Sequence, residues 1–329
     1  MRKLFLFGAF LMLMVFAGVY LAYQSWVSDT SASLEAGSKI AETSLGPIEY
    51  LLVGDSGPVL LSVHGTPGGY NAFGWMRKSV TESGMRWLRV SRPGYLRTPL
   101  EVGRTPAEQA DAYVALLDVL GIDSVAVMGV SGGSPSSLEL AARHPERVWA
   151  LVHLMGVSAS MPKIKEQKAD AGVIQKIIES DFGGWLISLS LPDSAPALLG
   201  EMIPNPDNRR RLVDDADNLA TFVKSVKKAG VLMSKRADGK ANDLDQFSEL
   251  SLTPFNQITA PTLVLHGSAD TDVDIAMGRS VAEGIAGAEL MVIDEADHWM
   301  PVTHSDEIMS AILKFLNREA PNKNEGDTL

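Results

Sequence analysis

The pattern in this sequence most suited to chemistry is a serine framed by glycines. Residues 129–133 read GVSGG, which places Ser131 between Gly129 and Gly133. An apolar run precedes the pattern and predicts a strand, and a helical pattern follows it. A sharp strand-to-helix turn strains the backbone, and only small neighbours let it close. The spacing therefore predicts a nucleophilic Ser131 at the carboxyl edge of a sheet, with the Gly132 amide placed to donate to an oxyanion.

A second glycine-rich segment directly follows an earlier predicted strand. Residues 64–69 read HGTPGG. Pro67 has no N–H to donate, so the backbone amide of Thr66 is the best second oxyanion donor, with Gly65 or Gly68 next in line. Alone, the segment is typical of an ordinary turn. Beside the serine pattern, it predicts the second half of an oxyanion hole.

Short apolar runs that alternate with helical patterns must position these residues. The runs that predict strands are 59–63, 87–90, 124–130, 148–154, 262–265 and 290–293. Thr105, Pro106 and Glu108 form a capping box for a helix that ends at Gly121. Parallel strands need crossover helices, so the sequence predicts an α/β fold with a mostly parallel central sheet and helices on both faces.

The alternation stops between residues 158 and 252, where the patterns are helical with Pro and Gly interruptions. We expect this stretch to be a helical cap, inserted into a core of residues 47–157 and 253–318, with a tail at 319–329. Its large apolar side chains are expected either to line an acyl pocket or to hold the cap together. They are Phe182, Trp185, Leu186, Met202, Phe222, Met233 and Phe247.

The N-terminus carries a membrane signal. Arg2 and Lys3 precede an apolar run that ends near Tyr23. About 20 residues at ~1.5 Å each span a hydrocarbon layer of ~30 Å, and leading basic residues place the N-terminus in the cytoplasm. We expect a membrane anchor at residues 1–23, a linker at 24–46 and an extracytoplasmic catalytic domain. A cleaved signal peptide, leaving a secreted or periplasmic protein, is the alternative.

Several motifs together resemble the α/β-hydrolase family, from about residue 48 to residue 316. The HGTPGG segment, SRPGY at 91–95, the serine pattern and RHPERV at 143–148 occur in the family's order. The HGTPGG and RPGY segments are also similar to proline-iminopeptidase-like members. Those members usually carry a Trp after the nucleophile, whereas this sequence has Gly132.

The resemblance implies a triad in the chain order Ser, acid, His, with Ser131 as the nucleophile. His298, after the last predicted strand, matches the family's histidine, whereas His304 lies at the start of the final predicted helix. Asp270, in a GSAD segment after a predicted strand, matches the family's acid. Nearby alternatives for the acid are Asp272 and Asp274.

This resemblance implies a serine hydrolase of the carboxylesterase or lipase type, which cleaves a small-molecule ester or related acyl bond through an acyl-enzyme intermediate. Two other functions stay open. One is an aminopeptidase similar to proline iminopeptidases. The other is a ligand-binding or receptor-like protein that keeps the triad but turns over slowly.

Composition excludes several other classes. A net charge of −11 argues against a nucleic-acid partner, since phosphate binding needs a concentrated basic surface. The absence of cysteine excludes a disulfide scaffold, a thiolate metal site and a Cys nucleophile. The sequence has no phosphate loop, metal-spaced His/carboxylate cluster or dinucleotide fingerprint, so we expect no cofactor and no metal.

Overall fold

The computed structural model describes residues 2–73, 76–164, 166, 176–177, 180–190, 199, 203–229 and 232–321. Met202, one of the large apolar side chains of the expected cap, lies outside these ranges. So does most of the expected C-terminal tail, from residue 322 onward.

A sheet of eight strands forms the centre of the molecule. The strands are β1 (Lys39–Thr43), β2 (Gly46–Val53), β3 (Val59–Val63), β4 (Arg86–Val90), β5 (Val125–Val130), β6 (Val148–Leu154), β7 (Thr262–Gly267) and β8 (Glu289–Ile293). Their order across the sheet is β1-β2-β4-β3-β5-β6-β7-β8. β1 pairs antiparallel with β2, β2 pairs antiparallel with β4, and the remaining pairs are parallel. The prediction of a mostly parallel sheet is confirmed.

Helices cover both faces of this sheet, as predicted. They are α1 (Arg2–Ala36), α2 (Arg77–Glu82), α3 (Pro106–Leu120), α4 (Ser134–Arg143), α5 (Asp181–Ser190), α6 (Pro206–Asp214), α7 (Ala216–Ala229), α8 (Ala237–Ser248), α9 (Ile275–Gly284), α10 (Met300–Thr303) and α11 (Ser305–Glu319). One core cluster contains Leu116 of α3, Leu140 of α4 and Val281 of α9. A second contains Val80 of α2 and Ile312 of α11. The central strands, buried between the two clusters, are mainly apolar because neither face meets water.

The capping box that starts α3 is confirmed. The Thr105 hydroxyl accepts from the Glu108 amide at 3.2 Å, and the Glu108 carboxylate accepts from the Thr105 amide at 2.8 Å. The helix ends at Gly121, whose φ of 62° is left-handed and suits glycine. α3 therefore begins and ends where the sequence predicts.

The described part of the stretch 158–252 is helical and contributes α5 to α8. Leu212 of α6 and Phe222 of α7 share a small apolar cluster with Val302 of α10. Within this stretch, α6 and α7 therefore pack against α10, in the segment that follows β8.

The N-terminal region differs from the linker expected over residues 24–46. α1 continues to Ala36, and residues 39–43 form β1. Ser, Ala and Thr continue a helix that an apolar run has already nucleated, and no Gly or Pro occurs between residues 24 and 36. β1 carries a weak sequence pattern because Ala41 is its one buried side chain. By length and composition, the helical segment Phe5–Ala36 is long and apolar enough to cross a membrane, and its most apolar 18-residue stretch has a mean hydropathy of 2.3.

Candidate active site

The turn that carries Ser131 joins β5 to α4 through a short 3-10 turn at Ser131–Gly133. Ser131 has a φ of 50°, a strained value for a residue with a side chain. A Cβ on Gly129 would lie 2.7 Å from the Ser137 hydroxyl oxygen, and a Cβ on Gly133 would lie 2.5 Å from the Val63 carbonyl oxygen. Both positions therefore require glycine, which explains the spacing in the sequence.

The structure brings Ser131, His298 and Asp270 into one chain of hydrogen bonds. The Ser131 Oγ lies 3.0 Å from His298 Nε2, and His298 Nδ1 lies 2.8 Å from Asp270 Oδ2. These residues follow three different strands, β5, β8 and β7, whose carboxyl ends meet at one edge of the parallel sheet. The carboxyl edge of such a sheet is where ligands bind in open α/β folds.

Asp270 is held rigidly in this arrangement. Its side chain is completely buried, and Oδ1 accepts from the amides of Asp272 and Val273, both at 2.9 Å. The two alternative acids have other positions. Asp274 accepts from the Ala276 amide at 2.8 Å and caps α9, and Asp272 is exposed.

The charges of the site shift two pKa values in opposite directions. Burial alone would raise the pKa of Asp270, but hydrogen bonds from His266 and His298 outweigh it and lower the pKa below the usual range. Burial alone would lower the pKa of His298, but the hydrogen bond and charge of Asp270 raise it. A carboxylate that stays ionised can hold His298 in the tautomer with the proton on Nδ1, which leaves Nε2 free to accept from Ser131.

Three of the other histidines have structural positions. His304 shares a hydrogen bond with the Thr303 hydroxyl at 2.9 Å, away from Ser131. His64 is buried and its Nε2 accepts from the Arg92 amide at 3.0 Å. His153 is buried within β6, and burial lowers its pKa to about 3.

The segment after β3 lies directly against the serine turn. A Cβ on Gly65 would lie 3.0 Å from the Ser131 Cβ, and one on Gly132 would collide with the Thr66 hydroxyl. Within the described part of the chain, the backbone amides of Thr66 and Gly132 donate to no other protein group. The two predicted oxyanion donors are therefore close together, beside Ser131.

A buried polar cluster ties this segment to the cap. The Thr66 hydroxyl donates to the Asp243 carboxylate of α8. Asp243 also accepts from Arg92 Nη1 at 2.8 Å and from the Tyr95 hydroxyl at 2.5 Å. Arg236, equally buried, donates from Nη1 to the Gly68 carbonyl oxygen at 2.6 Å. Removing one partner of a charge pair this deeply buried strongly destabilises the fold, because the other charge is left without a partner.

The apolar cap residues have separate roles. Phe247 of α8 lies against the serine turn, because a Cβ on Gly132 would be 2.9 Å from its ring. Phe247 and Thr66 thus occupy the space that a Trp after the nucleophile would need. Phe222 packs edge-on against Trp299, beside His298, with ring centroids 5.4 Å apart.

The sequence alone does not reveal the contribution of Asp243, although Arg92 and Tyr95 belong to the RPGY segment. Asp243 stands 151 positions from Arg92 and is one of several acids on α8. The spacing of residues within one helix gives no sign of a pairing over that distance. Within the described residues, no group of three or more His, Asp or Glu side chains is arranged to hold a metal ion.

Comparisons with known proteins agree with this architecture. The model of the alpha/beta hydrolase fold family matches residues 58–305. An uncharacterized hydrolase of Bacillus subtilis, YcgS, is 30% identical over 280 residues, which cover 82% of this chain and 95% of the relative. A 2-hydroxy-6-oxononadienedioate/2-hydroxy-6-oxononatrienedioate hydrolase of Pseudomonas is 27% identical over 301 residues, covering 88% of this chain and 100% of the relative.

Solved structures show the same similarity. An alpha/beta hydrolase fold protein from Nakamurella multipartita superposes with a TM-score of 0.73 at 33% identity, covering 85% of this chain and 98% of that one. The enol-lactonase from Burkholderia xenovorans LB400 superposes with a TM-score of 0.65 at 20% identity, covering 85% of this chain and 100% of that one. At that lower identity the likeness concerns the fold alone.

Proposed function

This chain belongs to the α/β-hydrolase fold family, and we propose that it is a serine hydrolase acting on a small-molecule ester or related acyl bond. The observation that carries the proposal is the hydrogen-bonded chain from Ser131 through His298 to Asp270. The relative from Pseudomonas is a hydrolase of a small oxo-dioate, which supports a small-molecule substrate.

In the proposed reaction, the Ser131 Oγ attacks the acyl carbon while its proton moves to His298 Nε2. The negative charge that develops on the acyl oxygen is stabilised by the amides of Thr66 and Gly132. When the bond to the leaving group breaks, His298 returns the proton to the departing atom and an acyl-Ser131 ester remains. Water then attacks the acyl carbon while His298 accepts its proton. The bond from the acyl carbon to Oγ breaks, His298 returns the proton to the Ser131 Oγ, and the carboxylic acid product leaves.

The buried pairing of Asp243 argues against the aminopeptidase alternative. An aminopeptidase needs a carboxylate that is free to bind the substrate's ammonium group. Among the cap residues that the structure describes, Asp243 reaches the segment beside Ser131, and its oxygens already accept from Arg92, Tyr95 and Thr66. We therefore favour an acyl substrate without a recognised amine.

Turnover of a short-chain p-nitrophenyl ester separates an enzyme from a receptor-like protein. Ser131→Ala should lower kcat by roughly 10⁴-fold or more, because it removes the nucleophile. Ser134→Ala is the matched control, since this buried serine is three residues away and should leave turnover within a few-fold of the wild type. Equal turnover in folded wild type and Ser131→Ala would refute the mechanism.

We also propose that α1 anchors the protein and that the catalytic domain is extracytoplasmic. The exposed apolar side chains between Phe5 and Leu21 support this proposal. Full-length protein should remain with membranes after a high-salt wash and leave them only in detergent. An intact full-length chain in the soluble fraction would contradict the anchor, and a chain shortened at its N-terminus would favour the signal peptide.

A further inference from the structure

One face of α5 is apolar and exposed. Phe182, Leu186 and Leu189 follow helical spacing, so they share that face. Their exposed fractions are 42%, 42% and 65%. Neighbouring exposed apolar side chains on a protein surface are typical of a site that contacts a protein, a ligand or a membrane.

This patch adjoins the end of the apolar run of α1. The Tyr23 ring meets the Phe182 ring edge-on, with centroids 5.6 Å apart, and lies 5.7 Å from the Trp185 ring. Trp26 stacks on Tyr23 at 6.4 Å. Tyr and Trp concentrate at the boundary between lipid and water. If α1 spans a membrane, this aromatic cluster, and α5 with it, lies at the depth of the lipid headgroups.

Polar contacts through residues 234 and 235 also link α5 to α1. The Asp181 carboxylate accepts from the amide and the hydroxyl of Ser234, at 2.9 and 2.6 Å. The neighbouring Lys235 reaches Glu35 of α1 at 3.4 Å. Because Phe182 both contacts Tyr23 and is exposed, the patch on α5 adjoins the exposed apolar surface of α1.

We propose that α5 is a second membrane contact, and that its face of Phe182, Leu186 and Leu189 docks onto the bilayer that holds α1. The inference rests on the membrane-anchoring part of the proposed function. Interfacial helices bury their apolar face roughly 5–10 Å into the boundary between headgroups and acyl chains. Docking of this kind places the cap, whose Phe247 lies against the serine turn, at the membrane surface.

The test uses the full-length protein in vesicles of phosphatidylcholine and phosphatidylglycerol. The chain has no cysteine, so each single-Cys variant carries one fluorescent label. Leu189→Cys probes the patch, and Leu21→Cys, 66% exposed on α1, probes the anchor. Val213→Cys is the matched control, because it is 45% exposed in the same cap but lies on α6. Asn208 of α6 donates to the Glu295 carbonyl beyond β8. β8 forms the edge of the sheet opposite to β1, the strand that follows α1.

Lipids that carry a nitroxide near the headgroup should quench the Leu189 label about twofold, consistent with burial at interfacial depth, and should leave the Val213 label unchanged. An unquenched Leu189 label beside a quenched Leu21 label would overturn the docking and leave the anchor intact. If that unquenched label is also shielded from a water-soluble quencher, protein rather than lipid covers the patch, either a second copy or another part of the same chain.

Equal quenching at Leu189 and Val213 would overturn the specific role of α5. An unquenched Leu21 label would overturn the anchor and the docking together. Ester turnover, measured on the same vesicles, reports separately on Ser131 and on the fold.

Discussion

The two sides of the candidate site are built differently. Ser131, His298 and Asp270 all stand at the ends of core strands, and their hydrogen bonds are made among residues of the core. The loop of Thr66 also follows a core strand, but its hydroxyl is bonded to Asp243 of the cap helix α8. The sheet therefore sets the geometry of the serine side, whereas the position of the cap contributes to the geometry of the oxyanion side.

This difference predicts two kinds of variant. Removing the Ser131 hydroxyl should abolish chemistry and leave the fold almost as stable as before. Changes in the cap contacts of the oxyanion loop should cost both rate and stability, since they leave buried polar groups without partners.

On the serine side, Ser131→Ala and His298→Ala should cost most, because either change abolishes activation of the nucleophile, and Asp270→Asn should come next. The amide cannot stabilise the His298 imidazolium and favours the wrong tautomer, so kcat should fall by roughly 10⁴-fold. Asp272→Asn, at an exposed neighbour, is the control and should keep near wild-type turnover. If Asp272→Asn is inactive and Asp270→Asn is active, the assignment of the acid is wrong while the serine mechanism stands.

Thr66→Pro should have the next largest effect. It deletes one backbone donor, and loss of one oxyanion donor typically costs about 2.7 to 4 kcal/mol, or roughly 100- to 1000-fold in kcat. Thr66→Ser keeps both the backbone amide and the hydroxyl that donates to Asp243, so the kcat of this variant should stay close to that of the wild type. Circular dichroism must show that Thr66→Pro is folded. Unchanged kcat in such a protein would place the second donor at Gly65 or Gly68.

Asp243→Asn tests the cap side of the comparison. It leaves the Arg92 guanidinium buried without a carboxylate, which should lower the free energy of unfolding by about 3 kcal/mol, measured by urea denaturation. The loosened Thr66 loop should lower kcat by up to about 100-fold.

Two readouts separate positioning by Asp243 from a general loss of fold. The acidic limb of the pH profile should not move, because Asp243 does not contact His298. Asp238→Asn, at an exposed position on the same helix, should change neither stability nor rate appreciably. A stable Asp243→Asn protein with unchanged kcat would show that the cap does not set the geometry of the loop.

The smallest effect is a shift in pH dependence. Catalysis needs neutral His298, so kcat/KM should fall as the pH decreases through the pKa of His298. Asp270 raises that pKa, which places the midpoint above the ordinary histidine value of about 6.5. In Asp270→Asn the burial remains and the charge is lost, so the midpoint of the residual activity should move to lower pH. A midpoint that does not move would mean that another group titrates.

The same contrast between the two sides explains what the sequence predicts well. Ser131 stands within a short motif, and both flanking glycines are required at the turn itself. The motif can therefore be recognised from the sequence alone. Long-range contacts leave no such pattern. Nothing in the sequence near Asp243 distinguishes it from its acidic neighbours, because its partner Arg92 comes from a distant loop.

The N-terminal region gives a similar lesson. β1 lies at the edge of the sheet, where one buried alanine in five residues produces no recognisable alternation. The extension of α1 to Ala36 is stabilised by tertiary contacts, including the Tyr70 hydroxyl that donates to the Leu34 carbonyl at 2.5 Å. Where the local preference for helix or strand is weak, tertiary contacts decide which forms, and the sequence does not reveal those contacts.

The most direct test of the central claim is to locate the covalent adduct of a fluorophosphonate by mass spectrometry. The account predicts a single adduct on Ser131 in the wild type, and a much slower formation of that adduct in His298→Ala, because the base that activates the hydroxyl is gone. An adduct on a different serine, or an equal rate of formation in the two proteins, would contradict it.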